Sequence, residues 1–470
     1  MTPSKTKASW AVYTPLLLIV VVGALLRAHD LFEKSLWLDE LFSVEVSDPD
    51  NSLSTVFHRT VEDVHPPLYQ ILLWLVYKVF GYSDKVGRVF SLVLGVAVIP
   101  SMYWLTKSLF NEQVARLAAF LSAINFFLVV ISKDTRSYDL LVLLVVLSFG
   151  TFIGLLEKKN GVAIVIYSIV ASMLVNTHYF GFFPVMTQFL LLLYFSLRSG
   201  LDRRLFMAGF VAAIVVFCSL MPVLPYLLKN IKRTGTWIGK PTEIFIVDAF
   251  VLQFGQWSVV LVCLFFLMLG LSHLLRRHDK SNALKILLLW WFFGFSVAYI
   301  RSLFFTPILS FRNTIIFIPV AIIIVSYGLS LVVDRVVRGS VLAFIFLMSI
   351  SYLEAQPDLT KLRIEHDLRS PAEKIMSDNT GWRVYGSWEA LHSTYFKALG
   401  SSIRVESLKI LEEEMKQHQT PRCFYVMEMW GDVSEKKYPD RFDVELVEKT
   451  DFSKTGVLVF RSKGATNCSA

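Results

Sequence analysis

Charged residues are scarce in this chain. Of its 470 residues, 18% are charged and 54% are hydrophobic, and the mean hydropathy is +0.55. A soluble globular domain carries about 25% charged residues, so the composition excludes an ordinary soluble protein. Apolar runs such as WAVYTPLLLIVVVGALLRA and NTIIFIPVAIIIVSYGLSLVV approach the roughly 20 residues that a helix needs to cross a bilayer. The chain is predicted to be a polytopic membrane protein.

Ionisable side chains are absent from the middle of the predicted membrane spans. Charged residues within the spans, such as Arg27, Arg88 and Asp139, stand near span ends. Ion-coupled transporters and proton pumps keep ionisable residues near the midplane of the membrane. Their absence argues against ion-coupled transport and places any chemistry at the external interface. A lipid flippase or a structural membrane protein stays compatible with the pattern. The spans are predicted near 10–28, 87–106, 113–131, 138–156, 160–177, 179–197, 205–227, 250–275, 283–303, 311–333 and 338–354.

The formal net charge of +8 is interpreted as a topology signal rather than a nucleic-acid surface, because Lys and Arg fill short loops between the spans.

The segment PLYQILLWLVYKVFG (67–81) would give a helix of only ~22 Å, against a hydrocarbon core of ~30 Å. Reading it as an interfacial helix gathers the basic clusters, such as 158–159 and 276–277, on one side. The positive-inside rule makes that side cytoplasmic, together with the N-terminus.

Polar and aromatic loops then gather on the non-cytoplasmic side. They are LDELFSVEV, HPPLY, SKDTRSYDLL, NTHYFGFF, IKRTGTWIG and TPILSFRNT.

The chain contains four cysteines, of which Cys423 and Cys468 lie in the polar C-terminal region and could form a disulfide. Few cysteines and a compact external domain favour a multi-pass protein of the bacterial inner membrane, with its active site in the periplasm.

The C-terminal region is soluble in character. Segments RVYGSW, CFYVMEMW, FDVELVEK and GVLVFRS predict short strands, and LKILEEEMKQ predicts a helix between them. Ser370 before Pro371 predicts the start of a further helix. The predicted fold is mainly α: a transmembrane helical bundle of about 11 spans plus interfacial helices (1–356, with an extracytoplasmic catalytic loop at 29–86) and a small α/β domain (357–470).

Carboxylates and cations in the external loops suggest group-transfer chemistry. Asp39 and Glu40 supply a base or a metal ligand. Lys133, Arg136 and Arg312 supply cations that could hold a phosphate. A base facing a phosphate clamp suits deprotonation of an acceptor hydroxyl and stabilisation of a departing phosphate.

These motifs resemble a known group of enzymes. A first span, an external Asp-Glu pair and then HPPLY, followed by SKDTRSYDLL, THYFG and FRNTIIFIP, is similar to the protein O-mannosyltransferase and lipid A aminoarabinose-transferase group of the C-type glycosyltransferase (GT-C) superfamily. The similarity covers about residues 10–335. It implies a polyprenyl-phosphate-linked sugar donor, an extracytoplasmic active site and inversion at the anomeric carbon. The acceptor would be a hydroxyl of a lipid, glycan or protein.

The resemblance also implies roles for individual residues. Asp39 matches the general base, and Glu40 matches a second acid that orients the acceptor or binds a cation. His65 matches the histidine of the HPP element. The residues implied near the donor phosphate are Lys133, Arg136, Tyr138 and Arg312. A divalent cation is permitted, with Asp39 and Glu40 as its ligands, but no spacing demands one, and no other cofactor is expected.

Simpler structural roles compete with these assignments. Asp39 could cap a helix or remain a solvated loop acid. Arg136, Lys133 and Arg312 could be interfacial anchors whose side chains snorkel to the head groups. Tyr138, His178 and Tyr179 could belong to the interfacial aromatic belt.

Departures from the family leave the acceptor open. The chain lacks a long repeat-built sugar-binding insertion, and EMWGD (428–432) is a weak counterpart of the double-Trp acidic motif of oligosaccharyltransferases. The alternative function is a lipid-linked-sugar flippase or another non-catalytic lipid-binding membrane protein. Within the enzyme class, the nearest alternative is a ligase that transfers preassembled glycan from a diphosphate carrier.

Overall fold

Helices make up most of the computed structural model, which describes residues 7–465 except 199, 237, 356–358, 360, 361 and 363–365. The helices are α1 (Lys7–Ala28), α2 (Leu38–Val46), α3 (Leu53–Glu62), α4 (Leu68–Phe80), α5 (Asp84–Leu109), α6 (Glu112–Ile124), α7 (Phe126–Ile131), α8 (Tyr138–Lys158), α9 (Gly161–Val175), α10 (Phe182–Leu197), α11 (Arg203–Leu220), α12 (Leu224–Ile231), α13 (Phe245–Phe254), α14 (Trp257–Arg276), α15 (Ser281–Phe304), α16 (Ile318–Ser330), α17 (Arg335–Glu354), α18 (Arg369–Asp378), α19 (Glu389–Ala398) and α20 (Leu408–Lys416). The strands are β1 (Arg383–Gly386), β2 (Val405–Ser407), β3 (Cys423–Met429), β4 (Val444–Phe452) and β5 (Thr455–Ser462). The 3₁₀ turns are Tyr179–Gly181, His278–Lys280 and Arg312–Phe317.

The chain folds as two compact units. Unit 1 comprises Met1–His29, Leu53–Leu72 and Val89–Asp358. Unit 2 comprises Asp30–Ser52, Leu73–Arg88 and Leu359–Ala470. Part of the predicted catalytic loop therefore belongs to the same unit as the C-terminal sheet.

Eight described helices are long and apolar enough to cross a membrane by themselves: Asp84–Leu109, Tyr138–Lys158, Tyr179–Leu197, Arg203–Leu220, Trp257–Arg276, His278–Phe304, Arg312–Ser330 and Arg335–Glu354. The structure places helices at all eleven predicted spans, so the predicted multi-pass helical architecture is confirmed. The spans predicted at 10–28 and 160–177 contain shorter apolar helices. The span predicted at 113–131 is interrupted at Asn125, whose Oδ1 accepts a hydrogen bond from the Leu128 N–H. The segment 67–81, predicted to be an interfacial helix, contains the 13-residue helix α4.

The core of unit 1 centres on α16, nearly all of whose residues are buried. It packs closely against α14: a Cβ atom on Gly328 would collide with the carbonyl oxygen of Phe266. Only glycine permits this approach. On another side of the bundle, Trp290 stacks on Phe149 with ring centroids 3.8 Å apart, and its indole N–H donates to the Ile316 carbonyl. Close aromatic and backbone packing of this kind gives unit 1 a rigid interior.

Unit 2 contains a five-stranded sheet in the order β2-β1-β3-β5-β4. β1 pairs in parallel with both β2 and β3, whereas β5 pairs antiparallel with β3 and β4. Helices cover both faces: α20 packs against Phe424, Val426 and Phe460, and α18 and α19 pack against the opposite face. The predicted small α/β domain is confirmed. Cys423 is disulfide-bonded, and Cys468 lies outside the described residues.

The helix predicted to start near Ser370 is present, but Ser370 does not cap it. Helix α18 begins at Arg369, one residue earlier. The Oδ1 atom of Asp367 accepts hydrogen bonds from the N–H groups of Arg369 and Ser370 at 3.2 and 3.0 Å. An aspartate carboxylate is a strong acceptor at a helix start, so Asp367 fills the role that the sequence pattern assigned to the serine.

Candidate active site

Asp39 lies in the first turn of the nine-residue helix α2 in unit 2. Acidic residues are favoured there, because the free N–H groups give the start of a helix a partial positive charge. Asp39 is half-buried, whereas its neighbour Glu40 is fully buried. The two acids that the sequence places side by side therefore have different environments.

Glu40 is held by the backbone and by Arg88. Its Oε2 atom accepts a hydrogen bond from the Trp37 N–H at 3.2 Å and lies 3.2 Å from Nη2 of Arg88. The Arg88 guanidinium also donates to the carbonyl oxygens of Leu31, Lys34 and Ser35 at 2.7–3.0 Å. One buried arginine thus fixes the loop that enters α2 and the acid beside Asp39.

Replacing Arg88 by Leu is expected to lower the free energy of unfolding by about 3–5 kcal/mol, because it leaves the Glu40 charge buried and unpaired. Replacing Glu40 and Arg88 together by Leu should cost less, because both charges are then removed. Thermal unfolding of the full chain in detergent measures the effect. Leucine at exposed Arg404 is the matched control, and equal unfolding temperatures for Arg88→Leu and wild type would contradict the assignment.

Tyr395 and Lys397 on α19 also hold the segment around α2. The Tyr395 hydroxyl accepts a hydrogen bond from the Leu36 N–H at 3.1 Å. The Nζ atom of Lys397 lies 2.5 Å from Asp48 and 2.6 Å from Asp50, just beyond the helix. Although burial lowers the pKa of Lys397, its hydrogen bonds to the two carboxylates raise it overall. The residues before and after helix α2, which carries Asp39, are therefore both bonded to α19 within unit 2.

A second cluster, in unit 1, joins cations and histidines. Nη2 of Arg136 lies 3.0 Å from Nε2 of His65. A guanidinium can only donate, so Nε2 of His65 is the acceptor and its ring is neutral. The His65 ring lies 6.0 Å from the ring of His178, which lies 6.0 Å from Tyr138. The second cation, Arg312, is buried and close enough to influence both histidines. We call Arg136, Arg312, His65 and His178 the Arg/His cluster.

Burial and the two guanidinium charges keep both histidines neutral. Burial is the larger cause and Arg136 the next, and together they place the pKa of His65 well below its usual value. The same causes lower the pKa of His178 to about 3. The two fixed positive charges of the cluster attract anions, and the carboxylate of Asp63 lies 3.8 Å from Nε2 of His65.

This electrostatic arrangement predicts a pH dependence of stability. Both histidines have lower pKa values in the folded chain than in the unfolded chain, so acid favours unfolding below the ordinary histidine pKa of about 6.5. Each contributes roughly 1.4 kcal/mol per pH unit, so the unfolding temperature should fall as the pH drops from 6.5 to 4.5. His178→Asn should flatten this slope, and the matched change at exposed His418 should not. A slope unchanged by His178→Asn would contradict the prediction.

The structure gives the remaining predicted site residues different positions. Tyr138 begins α8 and is buried beside His178. The half-buried Lys133 donates through Nζ to the carbonyl oxygen of His29 at 2.6 Å. His65, Arg136 and Arg312 therefore belong to the Arg/His cluster, and Tyr138 borders it through His178. Asp39 and Glu40 belong to unit 2.

His178 joins the cluster although sequence reasoning favoured an aromatic-belt role for it. Its Nδ1 accepts a hydrogen bond from the Phe180 N–H at 3.1 Å and so begins the 3₁₀ turn that leads into α10. The signal in the sequence was a histidine directly before an apolar span on the predicted external side. An aromatic-belt residue gives the same signal. Only the contacts of His178 with His65 and Tyr138 distinguish a member of the cluster from a belt residue.

Buried polar contacts support the segment that carries Arg136. Arg27 donates to the carbonyl oxygens of Gly23, Ala123 and Ser122 at 2.9–3.2 Å and interacts electrostatically with Asp139. A Cβ atom on Gly95 would lie 2.8 Å from Oδ1 of Asp139 and 2.6 Å from Cβ of Ser132. Both ends of the 132–139 segment therefore pack closely against Gly95 of α5.

The basic segment 229–240 begins beside the HPP loop. Nδ2 of Asn230 donates to the Asp63 carbonyl and to the Tyr179 hydroxyl, both at 3.3 Å.

The described residues contain no group of three or more His, Cys, Asp or Glu side chains that could hold a metal ion.

Comparisons with known proteins identify the fold. Residues 64–226 match the family model described as dolichyl-phosphate-mannose-protein mannosyltransferase. ArnT from Cupriavidus metallidurans, solved with undecaprenyl phosphate, has a TM-score of 0.67 and 12% identity, and the match covers 96% of this chain and 98% of that one. The chain has the GT-C fold.

Other GT-C structures are also similar. The oligosaccharyltransferase of Archaeoglobus fulgidus has a TM-score of 0.57 and 14% identity, covering 89% of this chain and 69% of that one. The arabinofuranosyltransferase AftD from Mycobacteria has a TM-score of 0.55 and 11% identity, covering 95% and 40%. No curated protein sequence matches the chain. The motifs indicated a resemblance to GT-C enzymes, and the fold of this chain confirms it. The apolar helices agree with a multi-pass membrane protein.

Proposed function

We propose that this GT-C protein is an inverting glycosyltransferase that moves a sugar from a polyprenyl-phosphate donor to an acceptor hydroxyl. The observation that carries the proposal is the Arg/His cluster, in which two buried guanidiniums stand beside two neutral imidazoles. Buried cations of this kind suit a phosphate ester better than a neutral lipid, because bidentate guanidinium contacts match phosphate oxygens.

Each predicted site residue then has a role. Asp39 accepts the proton of the acceptor hydroxyl as its oxygen attacks the anomeric carbon. The bond from that carbon to the phosphate oxygen breaks, and attack from the opposite face inverts the configuration. Arg136 and Arg312 stabilise the negative charge that grows on the departing phosphate.

Neighbouring residues position these groups. Neutral His65 accepts a hydrogen bond from Arg136 and fixes the guanidinium plane. Glu40, bonded to Arg88 and to the start of α2, holds the backbone of Asp39 rather than reacting itself. Lys133 and Tyr138 complete the polar surface near the phosphate.

The cellular setting follows from the loops. The positive-inside pattern supports a cytoplasmic N-terminus and a reaction on the extracytoplasmic side, in a bacterial inner membrane. An undecaprenyl-phosphate-linked sugar is then the natural donor, as the fold similarity to an undecaprenyl-phosphate-bound structure supports.

The test uses the full chain in detergent with a radiolabelled polyprenyl-phosphate sugar and a panel of hydroxyl-bearing acceptors. Release of the sugar from its lipid is expected, with polyprenyl phosphate as the second product. In liposomes, movement of intact labelled lipid across the bilayer without cleavage would overturn the proposal in favour of a flippase. Release of a polyprenyl diphosphate from a diphosphate-linked glycan, with no cleavage of the monophosphate donor, would overturn it in favour of a ligase.

A further inference from the structure

Two tryptophans of unit 2 lie in an unusual backbone conformation on the surface. Trp388 has φ of 61° and Trp430 has φ of 59°, and their side chains are 51% and 48% exposed. Bulky residues rarely adopt this left-handed region, because the Cβ atom crowds the backbone. Strain of this kind persists where the surrounding structure enforces it, often at binding sites. Neither tryptophan belongs to the site described above.

The sheet topology places both tryptophans at one edge. Trp388 follows β1 and Trp430 follows β3, and these strands are parallel neighbours. The chain passes from β1 to β2 on one side and then crosses to β3 on the other. The carboxyl ends of β1 and β3 thus flank a topological switch point, where a crevice opens in sheets of this type and ligands bind.

Hydrogen bonds hold the backbone next to the two tryptophans. The Ser387 hydroxyl, next to Trp388, donates to Oδ2 of Asp432, and Oδ1 of Asp432 accepts from the Met429 N–H at 2.9 Å. The Trp430 N–H donates to the Lys454 carbonyl at 3.0 Å. The rings meet edge to face, with centroids 5.9 Å apart. They form a preorganised aromatic surface rather than two independent side chains.

A polar cavity adjoins this surface. The edge of Trp430 contacts the ring of His366, with centroids 4.8 Å apart, and His366 lines a cavity of about 240 Å³. Charged and aromatic groups line the rest of the cavity, including Glu33, Lys34, Asp367 and Trp37. Trp37 precedes α2, two residues before Asp39. The aromatic surface therefore leads through His366 to the loop that carries the proposed base.

We propose that Trp388, Trp430 and the adjoining cavity bind an oligosaccharide as the acceptor. A sugar ring offers an apolar C–H face, which packs on an aromatic ring, and a rim of hydroxyls, which bond to charged side chains. This inference rests on the proposed function and names the class of its acceptor. A polypeptide fits the surface less well, because β1 and β3 are each paired on both sides and offer no free edge for strand addition.

The test applies the fluorescently labelled full chain in detergent to an array of gluco-, galacto-, manno- and N-acetylhexosamine oligosaccharides. No donor is present, so binding is read independently of sugar transfer. Wild type is expected to bind a subset of the glycans, and Trp388→Asn and Trp430→Asn should each weaken that binding at least tenfold. Asparagine tolerates the left-handed conformation, so both variants should unfold at or above the wild-type temperature.

The matched control is Ile410→Asn, which changes another exposed apolar residue of unit 2 and should bind as wild type does. Glycan binding that survives both tryptophan changes would overturn the inference. So would wild-type protein that binds no glycan but binds anionic vesicles or unglycosylated peptides through the same tryptophans. Release of sugar from the lipid donor is measured separately, so the proposed function can stand when this inference fails.

Discussion

Replacing Asp39 by Asn is expected to reduce release of sugar from the polyprenyl-phosphate donor about 10²–10⁴-fold, the contribution typical of a positioned general base. The amide has nearly the same size and stays in the first turn of α2, but it cannot accept the proton of the acceptor hydroxyl. The rate constant kcat should fall while binding of the donor lipid changes little. The measurement is the single-turnover rate of release by the full chain in detergent.

Glu45→Gln is the control for Asp39→Asn. Glu45 is also half-buried and stands on the same helix, so a general effect of removing a carboxylate from α2 would appear in both variants. Wild-type rates in Asp39→Asn, with an unchanged unfolding temperature, would remove Asp39 from the mechanism and leave the Arg/His cluster as a binding site alone.

Replacing Arg136 by Gln is expected to lower kcat about 10²–10³-fold, since a preorganised donor to a developing negative charge is worth that much. It should also raise the KM for the donor, because the phosphate carries charge before the reaction begins. Arg136→Lys should restore less than a tenth of the lost rate. A lysine ammonium cannot hold its bond to His65 and grip a phosphate with two parallel hydrogen bonds.

The control for Arg136 is Arg198→Gln, which removes an exposed arginine of unit 1 and should leave both constants unchanged. Direct binding of unlabelled polyprenyl phosphate separates the effect of Arg136 on donor binding from its effect on kcat. Binding that depends on the Arg136 charge should weaken steeply with salt. Full recovery of the rate by lysine would contradict a bidentate contact, because it would show that one positive charge at this position is enough.

Much of the fold could be predicted from the sequence, because membrane spans and buried strands are both marked by apolar runs. The long runs located the eight described helices that can cross a membrane, and the short runs CFYVMEMW and GVLVFRS located β3 and β5. Interruptions such as Asn125 were missed. An asparagine that caps a helix is locally indistinguishable from one that faces a neighbouring helix.

The candidate site could be predicted only in part. Motif spacing singled out Asp39, His65 and Arg136, and these assignments stay predictions. Sequence reasoning gave no means of separating the fully buried Glu40 from the half-buried Asp39. That distinction depends on Arg88, 48 residues further along the chain. Pairing over such distances is a property of the tertiary structure and leaves no mark on local composition.

The bonds from α19 to the loop around α2 bear on how this protein can be divided. Because Tyr395 and Lys397 hold the residues on both sides of Asp39, removing the C-terminal region would not leave the rest of the chain intact. A truncated chain would retain the aspartate but lose the scaffold that orients it. Grafting the C-terminal region of a relative onto this chain would likewise have to carry the α2 loop with it. The part of the chain that could be exchanged between relatives is therefore discontinuous in sequence. It contains both the residues around α2 and the C-terminal sheet.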